Sequence, residues 1–179
     1  PCHRPLALHL IEGLARRDFD VSAMADLTEG AHEGHAFSFV HRTYLADAPV
    51  PIVPVFLNTF YPPNQPSPSR CLALGEALRS AVAGFSGDLR VGIMASGGLS
   101  HFQAEEDLDG AVIEALRSKD TATLAGLDPK RLQSGSSEIR SWIALGGAVG
   151  GLDLDWVAYI PAYRTVALTG TGLCFARWR

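Results

Sequence analysis

Val91-Gly92-Ile93-Met94-Ala95-Ser96-Gly97-Gly98-Leu99-Ser100-His101-Phe102 is the stretch whose reading decides the fold. It opens as an apolar run, the pattern of a strand buried on both faces. It breaks at Ser96-Gly97-Gly98, where two glycines permit a tight turn or a close backbone approach. His101 follows, with Ser100 beside it. Layered α/β folds present their chemistry from loops that follow buried strands. Histidine is also the side chain whose ordinary titration lies nearest neutrality, so it can take or give a proton. A histidine that merely caps the following helix is the plain alternative, and these residues alone leave both open.

Working outward, apolar runs alternate with amphipathic patterns. Leu6, Leu10, Ile11 and Leu14 recur at helical spacing, with Pro5 suited to a first turn. Residues 19–25 read as a short strand. Residues 50–60 read as a second strand of the buried type, with Pro51 and Pro54 at its start or on an edge. Ser67 or Ser69 can cap a helix that runs to Ala83, and Gly84 closes it. Residues 105–117 predict a helix whose acidic first turn suits the helix dipole, so Glu105, Glu106, Asp107 and Asp109 need no catalytic role. Residues 121–127 predict a short helix. Ser134-Gly135-Ser136-Ser137 then leads into a helix with Glu138 in its first turn. Residues 156–160 and 166–168 read as two closing strands, with Tyr163-Arg164 as their turn. The pattern predicts one α/β domain over residues 1–179. It is a three-layer sandwich with a mixed central sheet flanked by helices, closed by an antiparallel pair near the C-terminus.

Composition narrows the function. A net charge of −4 argues against nucleic acid or an anionic membrane as partner. No apolar run is long enough to span a bilayer. Cys2, Cys71 and Cys174 are far apart and form no Cys-x-x-Cys, so they read as reduced thiols of a cytoplasmic protein. No phosphate loop or Gly-x-Gly-x-x-Gly follows a strand, and no Gly-x-Ser-x-Gly surrounds Ser96 or Ser100.

Two further stretches carry candidate chemistry. Glu29-Gly30-Ala31-His32-Glu33-Gly34-His35 and His41 place three histidines in a short span. His32 and His35 could ligate a metal such as zinc, although His-Glu-x-x-His is absent. One of them could instead be an acid/base or substrate-binding group, or the span could be a polar loop. The proline-rich loop after residue 57 leaves Asn58, Tyr61, Asn64 and Gln65 at a strand end, either near a ligand or as an ordinary connection.

Ala95-Ser96-Gly97-Gly98-Leu99-Ser100-His101-Phe102 resembles the histidine motif of the class III extradiol ring-cleavage dioxygenases. That family includes the protocatechuate 4,5-dioxygenase β subunit and the gallate and methylgallate dioxygenases. Gly34-His35-Ala36-Phe37-Ser38-Phe39, residues 54–65 and Ser136-Ser137-Glu138-Ile139-Arg140-Ser141-Trp142 are similar to further family motifs, in the family's order. The resemblance implies opening of a catechol-type ring with Fe(II) and O2. It implies Glu138 as an iron ligand, His101 as the acid/base histidine and His35 as a second catalytic histidine. Ser100, Asn58, Tyr61 and His32 are the accompanying substrate-binding candidates. The implied partners are a small aromatic diol, O2, and a second copy or a partner subunit. The family's two iron-binding histidines lie upstream of the stretch that matches Pro1 onward. The chain is therefore expected to be part of a longer polypeptide, and by itself not to hold Fe(II) tightly. A metal-free relative of the same fold, acting as a binding or subunit-interaction module, is the alternative. A last expectation is that His101 and Glu138 meet in one site despite their separation in sequence.

Overall fold

The computed structural model describes residues 2–25 and 34–179. Helix α1 (Arg4–Ala15) starts at His3, whose Nδ1 accepts the Leu6 N–H at 3.1 Å. Its buried stripe of Leu6, Leu10 and Leu14 packs on Leu74, Ala77, Leu78 and Ala81 of a longer helix. Helix α2 (His35–Tyr44) comes between them in sequence. The longer helix, α3 (Pro68–Ala83), is capped by Ser67, whose hydroxyl accepts the Arg70 N–H.

The other side of α3 meets α6 (Ile139–Ala148) almost backbone to backbone. A Cβ on Gly75 would stand 1.8 Å from the Ala144 carbonyl oxygen, and one on Gly147 2.3 Å from that of Leu72. Glycine at these two positions is what lets the helices approach. Helices α4 (Glu106–Ser118) and α5 (Thr121–Ala125) close the second core. There Leu108, Val112, Leu116 and Leu124 pack with Leu99, Ile139, Trp142 and Ile143.

Strands β1 (His101–Gln103), β2 (Leu154–Tyr163) and β3 (Thr169–Trp178) form an antiparallel sheet in the order β1-β3-β2. Pairing His101 with Thr171 and Tyr159 with Cys174 sets the register. Gly170, Gly172 and Cys174 alternate inward along β3, while Leu173 and Phe175 face outward. The mixed α/β class follows, with an antiparallel pair closing the C-terminal end.

Several local expectations change. The second closing strand starts at Thr169, not Val166. Val166-Ala167-Leu168 is the tip of the hairpin, with Leu168 at φ 61°, in the left-handed region that turns favour. The runs at 50–57 and 89–96 join no ladder among the described residues, apart from one parallel bridge between Ile52 and Cys2. Val50, Val55, Phe56, Val91, Ile93 and Met94 are correspondingly exposed. A buried strand needs hydrogen-bonding neighbours as well as apolar side chains, and among the described residues these runs find no neighbouring strand beyond that bridge, where the His3 N–H donates to the Ile52 carbonyl at 3.1 Å. Residues 19–25 likewise form no strand. The histidine-rich span continues into α2, where Phe37, Val40 and Tyr44 recur at helical spacing.

Candidate active site

The loop at residues 97–101 is where three elements converge. Gly97 has φ +148°, and a side chain there would meet Glu138 Oε2 at 2.8 Å. Two groups explain why the chain turns this way. The Trp142 indole N–H donates to the Gly97 carbonyl at 3.0 Å and the Gly98 carbonyl at 3.2 Å. The Gly98 N–H donates to Glu138 Oε2 at 2.9 Å. Trp142 lies one helical turn after Glu138, so both reach the loop from one face of α6.

Glu138 ends the 3-10 turn Ser134–Glu138 and is the N-cap of α6, yet its side chain makes no capping bond. Its carboxylate is spent on the loop instead, and about a third of the side chain stays exposed. The plain reading of a dipole-complementing glutamate therefore does not describe it.

His101 is held at both ends. Its N–H donates to Ser136 Oγ at 3.0 Å, and its Nδ1 lies 2.9 Å from the Leu99 carbonyl oxygen. A carbonyl only accepts, so Nδ1 carries the proton and Nε2 is the free basic nitrogen of the neutral ring. Nε2 faces Glu138 Oε2 at 3.7 Å. That is too long for a hydrogen bond and short enough for an ion pair once the ring is protonated. The expected meeting of His101 and Glu138 is thus seen. The packing is tight: a Cβ on Gly98 would come within 2.6 Å of the His101 ring, and one on Gly135 within 2.3 Å of its Cβ.

Beside the loop lies a cavity of about 1070 Å³ with mostly apolar walls. Gly97, Gly98 and Trp142 form one wall, and His35, Phe39 and Tyr44 of α2 form another. His35 is exposed at the first position of α2 and faces the same space as the glycines that touch Glu138 and His101.

The remaining candidates fall elsewhere. Ser100 is fully buried, and its hydroxyl both donates to Asp109 Oδ2 and accepts the Glu105 N–H. It has no exposed surface to offer a substrate, contrary to expectation; its two neighbours use it to hold the loop. Asn58 spends its side chain on the Tyr61 carbonyl, the Tyr61 N–H and Asn64. Tyr61 is 72% exposed and stacks edge-on with Phe60. Their loop is tied to α6 by buried Arg140, which donates to the Pro66 carbonyl at 2.8 Å and to the Leu132 carbonyl. His32 lies outside the described residues. His3 caps α1, and His9 bonds the Ala81 carbonyl at 2.9 Å, so both serve packing. Sequence reasoning missed Ser136, Trp142, Arg140, Tyr159 and Asp109. Asp109 could have been flagged: it shares its helix face with Val112 and Leu116, where a carboxylate is out of place.

Residues 1–174 match the family described as "Catalytic LigB subunit of aromatic ring-opening dioxygenase". The chain belongs to that family. Gallate dioxygenase of Pseudomonas putida is similar, at 31% identity over 166 residues. The match takes in 87% of this chain but 44% of that protein, so the chain spans less than half the length of this relative.

A ferrous site of the two-histidine, one-carboxylate type needs three converging donors. Among the described residues no three His, Cys, Asp or Glu side chains cluster in that way. Glu138 fits as the anionic donor, with a free edge and a neighbouring imidazole. The described residues do not complete such a site. Nor is any described helix long and apolar enough to cross a membrane.

Proposed function

We propose that this protein takes part in extradiol opening of a catechol-type ring, protocatechuate- or gallate-like, by O2 with Fe(II). In this reading residues 1–179 act as one catalytic-type domain of a cytoplasmic enzyme that assembles with a second copy or a partner subunit. The pairing of His101 Nε2 with Glu138 at 3.7 Å, inside a family of ring-opening dioxygenases, carries the reading. Glu138 supplies an anionic ligand, and the imidazole ligands come from outside the described residues.

The roles of the chain's own residues follow from their geometry. A catechol hydroxyl must lose its proton before the ring is activated. His101 Nε2 holds a free lone pair in the neutral ring and can accept that proton. Once charged, the imidazolium is balanced by Glu138 and can return the proton to a developing oxyanion. The Leu99 carbonyl keeps the ring oriented throughout. His35 approaches the substrate from α2, across the cavity. Asn58 shapes the loop that carries Tyr61.

The test uses the complete gene product, loaded anaerobically with Fe(II), with oxygen consumption followed on gallate and protocatechuate. His101→Ala should keep its iron and lose about 10²–10⁴-fold in turnover, because a proton-transfer group is removed. Glu138→Ala should lose iron affinity as well, because an anionic ligand is removed. Near-normal oxygen uptake in either variant removes that residue from the mechanism. A wild-type protein that holds no iron and consumes no oxygen would instead be a binding or subunit-interaction module.

A further inference from the structure

We propose that Asp109 is a positioning residue for His101: from inside α4 it clamps Ser100 so that the Leu99 carbonyl fixes the proton on His101 Nδ1. The proposal rests on the reading of His101 as the proton-transfer group.

Asp109 is fully buried and has no ion-pair partner among the described residues. A buried carboxylate is costly unless hydrogen bonds satisfy it. Here Oδ1 accepts the Ser100 N–H at 2.9 Å. Oδ2 accepts the Ser100 hydroxyl at 2.7 Å and the Tyr159 hydroxyl at 2.8 Å. Burial, and then the bond to Asp109, push the Tyr159 hydroxyl up, so it remains a donor. The strand opposite is cut away to make room: a Cβ on Gly172 would lie 2.0 Å from Oδ2.

An apolar side chain at position 109 would serve the core as well as Val112 and Leu116 do. The carboxylate adds its grip on the loop and its bond to Tyr159. That grip is completed by β3, where the Gly172 N–H donates to the Ser100 carbonyl at 2.8 Å and the Leu99 N–H donates to the Gly172 carbonyl at 2.9 Å. Both sides of the Ser100 peptide are therefore fixed. The Leu99 carbonyl is left pointing at His101 Nδ1. Without Asp109 the Ser100 N–H and hydroxyl lose their acceptor, the peptide is free to tilt, and the ring loses the bond that selects its tautomer.

The tautomer can be read directly. Histidine-labelled protein gives imidazole ¹⁵N signals, with His101 assigned by their loss in His101→Gln. In the neutral ring the wild type should show Nδ1 protonated and Nε2 bare. Asp109→Asn should lose that exclusive signature and show a mixture with the Nε2–H form. In the complete enzyme it should lower kcat about tenfold or more, with KM little changed, since misplacement of a reacting group costs turnover first. Ser100→Ala, which removes one of the two links without touching the buried charge, should move the same way and decides the matter if Asp109→Asn fails to fold. Tyr159→Phe leaves both Ser100 bonds in place and should keep the wild-type signature. An unchanged tautomer in a folded Asp109→Asn or Ser100→Ala protein overturns the proposal. So does a change in Tyr159→Phe as large as that in Asp109→Asn, because any disturbance of the cluster would then reach His101. If instead His101→Ala leaves oxygen uptake intact, the assigned function falls while the tautomer result stands.

Discussion

Residues 91–96 and 97–101 are adjacent in sequence and opposite in character. Along the first run no backbone group finds a hydrogen-bonding partner among the described residues, and Ile93 and Met94 are 47% and 63% exposed. Along the second, the backbone is held by Trp142, Glu138, Gly172, Asp109 and Ser136, and Leu99 and Ser100 are fully buried. The apolar half is the loosely held one, and the polar half is over-determined. Apolarity states that a run should be covered, but not by what. Polar groups in a loop must each be satisfied, and at this loop they are satisfied by groups from α4, α6 and β3. Chemistry that depends on sub-ångström placement belongs on the second kind of backbone.

The largest effect that tests this contrast lies in packing. Leu99→Ala removes a wholly buried side chain from the second core and should cost about 2–5 kcal/mol. Ile93→Ala removes an equally apolar side chain from the exposed run and should cost under about 1 kcal/mol. Urea denaturation of both variants measures the difference. Equal losses would show that residues 91–96 are as well packed as the loop, and the contrast would fail.

A smaller effect separates the glycines. Gly97 is in the left-handed region and its missing Cβ faces Glu138, so Gly97→Ala should cost about 1–3 kcal/mol and displace that carboxylate. Gly92, four residues from Ser96, has open space around its Cα and no such φ. Gly92→Ala should be neutral or slightly stabilising, because it restricts the unfolded chain. Thermal melts of the pair sharpen the comparison, and a neutral Gly97→Ala would mean the loop yields where the geometry says it cannot.

What was legible in the sequence follows the same division. Helices α1, α3, α4 and α6 announce themselves through local periodicity and caps, such as Leu6, Leu10 and Leu14 after Pro5, or Ser67 before Pro68. The Ser96–His101 break and Glu138 were legible as motifs, and their meeting as an expectation. The fates of residues 50–57 and 89–96 were not, because strand pairing depends on neighbours distant in sequence. From its position in the first turn, Asp109 reads as a residue that complements the helix dipole. Its actual partners, Ser100 and Tyr159, lie on other elements, and only the fold brings them to it. Ser100 failed as a substrate contact for the same reason: adjacency to His101 does not reveal which way a hydroxyl points.

The smallest effect concerns the thiols, which report on the closed and open sides of the molecule. All three cysteines are free; Cys2 is exposed beside the Ile52 bridge, while Cys71 and Cys174 are buried. Burial pushes the Cys71 thiol up to about 11 and the Cys174 thiol likewise to about 11. In the unfolded chain these thiols ionise nearer 9.0. Above that pH the unfolded state releases protons that the folded state keeps, so stability present below pH 9.0 is lost as the pH rises toward about 11. The loss should be on the order of 1–2 kcal/mol per buried thiol. Denaturant midpoints across that window should therefore fall, and Cys71→Ala should make the decline shallower whatever its own cost in packing. At neutral pH a thiol reagent should modify Cys2 quickly, and the other two only on unfolding. Rapid modification of Cys174 in the native protein would mean that β3 opens to solvent, and that the loop it clamps through Gly172 is no better held than the run before it.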